Sequence, residues 1–113
     1  MSEYNGWTNY ETWNVALWLD NDQGTEGLMR EYAQECYDDA EGTQLRTREQ
    51  VATGELADRI REYLDENNPV TDASVYSDLL GAALSEVNWR EIAEHYIADL
   101  DKETEEDDEE EAA

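Results

Sequence analysis

The chain has 113 residues, 31 of them acidic against 7 basic, for a net charge of −24. That length makes one domain with a modest core, and the charge argues against direct binding to nucleic acid or an anionic membrane. No run reaches the ~18 apolar residues of a membrane span, no basic-then-apolar leader opens the chain, and the lone Cys36 fits a reducing cytoplasm.

Taken in order, the first few residues read as a loose lead-in from which Tyr4 and Trp7 can fold back. The stretch NGWTNYETWNVALWLDND then holds three of the four tryptophans. Thr8 with Glu11 offers a capping box, and Asn9 a competing N-cap. From Tyr10 onward the apolar residues cover nearly all sides, the pattern of a buried central helix, with Trp13 and Trp18 in the core. Asp20-Asn21-Asp22-Gln23-Gly24 ends it, with Gly24 free to take a left-handed turn.

Thr25 caps a second helix running to about residue 40, with Leu28, Met29, Tyr32, Ala33, Cys36, Tyr37 and Ala40 in one stripe. Thr47 and Gln50 form the capping box of a third, Arg48 to about Glu66, with Val51, Ala52, Leu56, Ile60, Tyr63 and Leu64 inward. Gly54 inside it costs about 1 kcal/mol relative to Ala, a candidate break. Asn67-Asn68-Pro69 stops it. Thr71 or Asp72 opens a fourth helix, with Tyr76, Leu79, Leu80, Ala83, Leu84 and Val87 inward. Asn88 caps the fifth, Val87 and Ile92 forming a hydrophobic staple. Trp89, Ile92, Ala93, Tyr96, Ile97 and Leu100 face the core. The reading is an all-α bundle of about five helices over 1–100, followed by a disordered acidic tail over 101–113.

Two resemblances attach to these residues. NGWTNYETWNVALWLDND, with the later SEVNWREIAEHYI, resembles a family of small, functionally uncharacterised proteins of prokaryotes and their viruses, which implies a fold and no activity. The composition resembles cytoplasmic proteins of salt-accumulating halophilic archaea, with one lysine against six arginines and abundant carboxylates. The tail accounts for −8 of the charge, leaving −16 on residues 1–100. Leu, Ile, Val and Phe make only 18 of 113 residues, the range of disordered chains. Four tryptophans and seven tyrosines restore apolar area and argue for a folded domain.

Candidate chemistry is sparse. His95, between Glu91 and Asp99, reads as a boundary histidine, since a zinc site needs three or four clustered ligands. Cys36 on an apolar stripe beside Glu35 and Asp38 reads as a small hydrophobe. Asp20-x-Asp22-x-Gly24 hints at a calcium loop, but its glycine stands one place early for an EF-hand; it reads as a turn with room for weak cation binding. Trp7 is the least constrained tryptophan. The acids Glu31, Glu35 and Asp38 on the second helix, and Asp58, Glu62 and Asp65 on the third, form outward stripes. With Trp7 they make the candidate partner surface. No catalytic, cofactor or metal residue is assigned. The expected function is a non-enzymatic, cytoplasmic, salt-adapted protein meeting a partner with a basic surface. The alternative is an acidic DNA mimic that blocks a nucleic-acid-binding host protein.

Overall fold

The computed structural model describes residues 4–112, with side chains over 4–100. It contains α1 (Tyr10–Asn21), α2 (Gln23–Asp39), α3 (Arg48–Glu66), α4 (Val75–Ser85) and α5 (Trp89–Ala112). The fold is all-α, and the pairing of Tyr4 with Trp7 is an isolated bridge outside any strand. The disordered acidic tail expected over 101–113 lies outside the residues described with side chains, as does any structure at Met1 to Glu3.

The centre is α3, packed against α5 on one side and α2 on the other, with α1 resting on α2 and α5. Leu56, Ile60, Met29 and Ile92 are fully buried there. Among the described residues, alanine supplies six of the sixteen buried apolar ones: Ala16, Ala33, Ala40, Ala52, Ala57 and Ala93. Small side chains let helix axes approach closely, so the core closes with few leucines and isoleucines.

Local signals hold α3 where the sequence puts it. The Thr47–Gln50 capping box is formed in both directions, and α3 runs unbroken through Gly54. Arg48, the first residue of α3, donates from Nε to the Tyr37 carbonyl at 2.8 Å and from Nη2 to the Asp38 carbonyl at 3.4 Å. Its guanidinium also lies 4.2 Å from the centre of the Tyr37 ring. A cation at the carbonyl end of α2 meets both the exposed acceptors and the helix dipole, so it fixes the α2–α3 hairpin.

Three expectations are corrected. First, α1 is not the buried centre. Its buried residues are Thr12, Ala16 and Leu19, spaced as one narrow stripe, whereas Trp18 is 68% exposed and Tyr10 and Leu17 are also exposed. Trp13 is half-buried, against Tyr4 and Tyr10 with ring centres 4.9 and 5.6 Å away. Second, the caps move. Asn9, not Thr8, caps α1, and Asp22, not Thr25, caps α2, accepting from the Gly24 and Thr25 N–H groups at 2.9 and 3.1 Å. No left-handed turn is needed at Gly24, which sits in the first turn of α2. Third, α4 begins later, capped by Ser74 in a reciprocal box with Ser77. It buries none of its residues; Tyr76 and Leu79, expected inward, are 72% and 64% exposed.

Ahead of α1, Asn5 (φ 49°) and Gly6 (φ 90°) both take positive φ. The Tyr4 N–H donates to the Trp7 carbonyl at 2.7 Å and the Trp7 N–H to the Tyr4 carbonyl at 2.8 Å. Asn-Gly tolerates this conformation best, and it turns Tyr4 back onto Tyr10 and Trp13.

Candidate functional site

The two strings singled out in the sequence meet in space. The Thr12 N–H and hydroxyl both donate to Asn9 Oδ1, at 2.9 and 2.6 Å. The same Thr12 oxygen, fully buried, accepts from the Asn88 N–H at 2.9 Å. Asn9 Nδ2 donates to the Glu86 carbonyl at 2.8 Å, and the Thr8 N–H donates to Glu91 Oε1 at 3.0 Å. Asn88 Oδ1 in turn accepts from the Glu91 N–H at 3.1 Å as the cap of α5. Asn9 thus caps its own helix and holds the Glu86 carbonyl just ahead of α5, while the Asn88 N–H and the Glu91 carboxylate reach back to Thr12 and Thr8, so the amino ends of α1 and α5 are clasped together. These polar residues are consumed by structure.

Beside the clasp, Trp7 stacks on the exposed His95, ring centres 4.2 Å apart at 28°. Both border a small cleft of about 110 Å³ shared with Asp20, Glu26, Arg30 and Tyr96. The Tyr96 hydroxyl donates to Asp20 Oδ1 at 2.6 Å. Burial first, then the Asp20 carboxylate, pushes the Tyr96 phenol well above the ordinary tyrosine range. Its proton is held at neutral pH, so the pair ties α5 to α1. A group raised in the folded state stabilises below its unfolded pKa, and that stability is lost as pH rises. Melting temperature should therefore fall as pH climbs past about 10, and Tyr96→Phe should flatten that slope in pH-resolved thermal melts.

Asp20 and Asp22 of the candidate calcium loop are thus engaged, one by Tyr96 and the other as the cap of α2. Cys36 is buried, and its thiol is raised chiefly by that burial, with Arg59 partly opposing. Among the described residues no three metal-binding side chains come together, and no helix is long and apolar enough to cross a membrane.

Of the candidate partner surface, Trp7 is half-buried, while Glu31, Glu35, Asp38, Asp58, Glu62 and Asp65 are all exposed. The two acidic stripes are not continuous. Arg59 Nη1 donates to Glu35 Oε1 at 2.8 Å while its guanidinium covers the Tyr32 ring at 4.1 Å. A cation therefore stands between the acids of α2 and those of α3.

A second surface escaped the sequence reading. An apolar groove of about 250 Å³ runs between α1 and α4, walled by Tyr10 and Val15 on one side and Leu80, Ala83 and Leu84 on the other. The signal for it was present as a lapse of charge. From 67 to 85 the chain has two acids and no basic residue.

The molecule is thus an acidic all-α bundle with clasped helix ends and a peripheral apolar helix. It belongs to DUF7249, a family of unknown function whose model matches residues 1–106. No curated protein and no solved structure matches the chain.

Proposed function

We propose that the protein is a non-enzymatic, salt-adapted module of the cytoplasm that works by contact with a partner protein bearing a basic surface. One observation carries the reading: Glu31, Glu35, Asp38, Asp58, Glu62 and Asp65 are all exposed on two helices that pack against each other. Acids at such spacing recur every 5–6 Å along a helix face, roughly. They attract a basic protein surface and, in concentrated salt, hold water and cations.

The DNA-mimic alternative draws on the same stripes, but Arg59 weighs against it. Duplex DNA presents about one negative charge per 1.7 Å of axis with no cation among them, whereas here a guanidinium is bonded to Glu35. The two readings part in a retention experiment at the host's own ionic strength. Proteins held by the immobilised chain should be lost from a variant carrying Asp58→Lys, Glu62→Lys and Asp65→Lys whose circular dichroism is unchanged. Undiminished retention would reduce the stripes to a solvated surface. For a mimic, the retained protein's affinity for DNA must also fall as the chain is added; if it does not, only the protein-contact reading survives.

A further inference from the structure

The α1–α4 groove is bordered by more apolar surface than its walls alone provide. Trp18 follows Asn14, a groove residue, by four positions, so it projects from the same side of α1. On α4, Tyr76 precedes Leu80 by four and Leu79 precedes Ala83 by four, which puts both along the groove's other lip. All three are largely exposed: Trp18 at 68%, Tyr76 at 72% and Leu79 at 64%. Large apolar side chains at that exposure, aligned along both lips of one groove, mark a contact surface.

Three observations select what covers it. The groove lies between two helices, whose backbone groups are internally paired, so it offers no edge to an added strand; it fits apolar side chains repeating along a helix. Its length matches: α4 has 11 residues and α1 has 12, each about 16–18 Å at the helical rise. Its charge has one sign. Neither α1 nor α4 contains a Lys or Arg, Glu11 lines the groove and Glu86 follows α4 as its exposed C-cap. Arg61 borders a separate cavity with Gly81 and Ser85, on the other flank of α4. A second copy is itself a net −24 chain, and its own α1 and α4 have no cation to answer this rim.

We propose that this groove binds a three-turn amphipathic helix of another protein, apolar on one side and flanked by Lys or Arg. The proposal extends the protein-contact reading to a second face, and its test reads α1 and α4 alone. It can therefore fail while the stripes on α2 and α3 still bind.

The probe is a fluorescein-labelled peptide of about 11 residues, three helical turns, with leucines at helical spacing and lysines on the flanks. Its control has the same composition with the leucines scattered around the helix. Anisotropy titrations use the full chain in ~1 M KCl, where the Debye length is about 3 Å and bulk charge attraction is screened. The patterned peptide should bind at least about tenfold more tightly than the scattered one. Leu79→Ser and Trp18→Ser, exposed enough to leave the melt intact, should each remove most of that difference. Asp58→Asn with Glu62→Gln should leave it unchanged. Equal binding of the two peptides would overturn the proposal, as would undiminished binding by both groove variants. So would a dimer in sedimentation at the same salt that Leu79→Ser dissociates, since a second copy would then own the groove.

Discussion

Leu56→Ala should be among the most damaging single changes, costing about 2–5 kcal/mol. Leu56 is 0% exposed in the helix that both α2 and α5 pack against. Its removal leaves a hole among neighbours that cannot all relax. Domains of this kind have about 5–15 kcal/mol of stability in total, so at mid-range values about a third of the fold's margin goes with one side chain. Trp18→Ala, which deletes a far larger side chain, should change stability by only about 0.5 kcal/mol, because that ring already stands in solvent. Urea denaturation followed by circular dichroism compares the two midpoints. If Trp18→Ala proved the worse, α1 rather than α3 would be the core.

The second large effect should come from salt. Residues 1–100 carry a net −16, and the pairs Arg30–Glu26, Arg59–Glu35 and Arg90–Glu94 are all exposed ones, each of a kind worth about 0–1 kcal/mol. The remaining carboxylates repel one another in the compact state and less in the expanded one. Raising KCl to ~1 M shrinks the Debye length to about 3 Å, so the melting temperature should climb steeply with salt. Neutralising one stripe with Asp58→Asn, Glu62→Gln and Asp65→Asn should raise the low-salt melting temperature toward the high-salt value. A melt identical at low and molar KCl would end the salt-adaptation reading.

How far the fold could be read ahead of the structure differs from helix to helix, for physical reasons. In α2 and α3 the apolar residues lie on one side only, so periodicity orients the helix and the Thr47–Gln50 box marks where α3 starts. In α1 the apolar residues surround the helix, and periodicity cannot say which side is buried. Neighbours decided it, choosing the Thr12, Ala16 and Leu19 stripe, in which Thr12 and Ala16 are small enough to permit close approach and Leu19 fills the core. The cap of α1 was ambiguous for a similar reason. Thr8 and Asn9 are both competent, but Asn9 Oδ1 takes the Thr12 N–H while the Thr8 hydroxyl accepts from Asn88 Nδ2, 80 residues away. For α4 the expected caps were Thr71 and Asp72, but Ser74, a few residues on, holds the helix because only there does a partner, Ser77, close a reciprocal box. Of the candidate surface, the exposure of the six acids was legible from their stripes. The Arg59–Glu35 bond that divides them was not, because it joins residues 24 apart on different helices.

The clasp also bears on the order in which the molecule assembles. Its α1–α5 bonds span 76 to 83 residues, whereas the α2–α3 hairpin closes a turn of eight residues, 40–47. Loop-closure entropy rises by about 0.6 kcal/mol per doubling, so the clasp begins some 2 kcal/mol behind the hairpin. Contacts that are distant along the chain form late and are early to open. By the same reasoning α1, one residue from α2, meets α2 early, and it is the clasp to α5 that should close late. One wall of the apolar groove is α1 and the other is α4, so the groove itself exists only once the two ends of the fold have found each other.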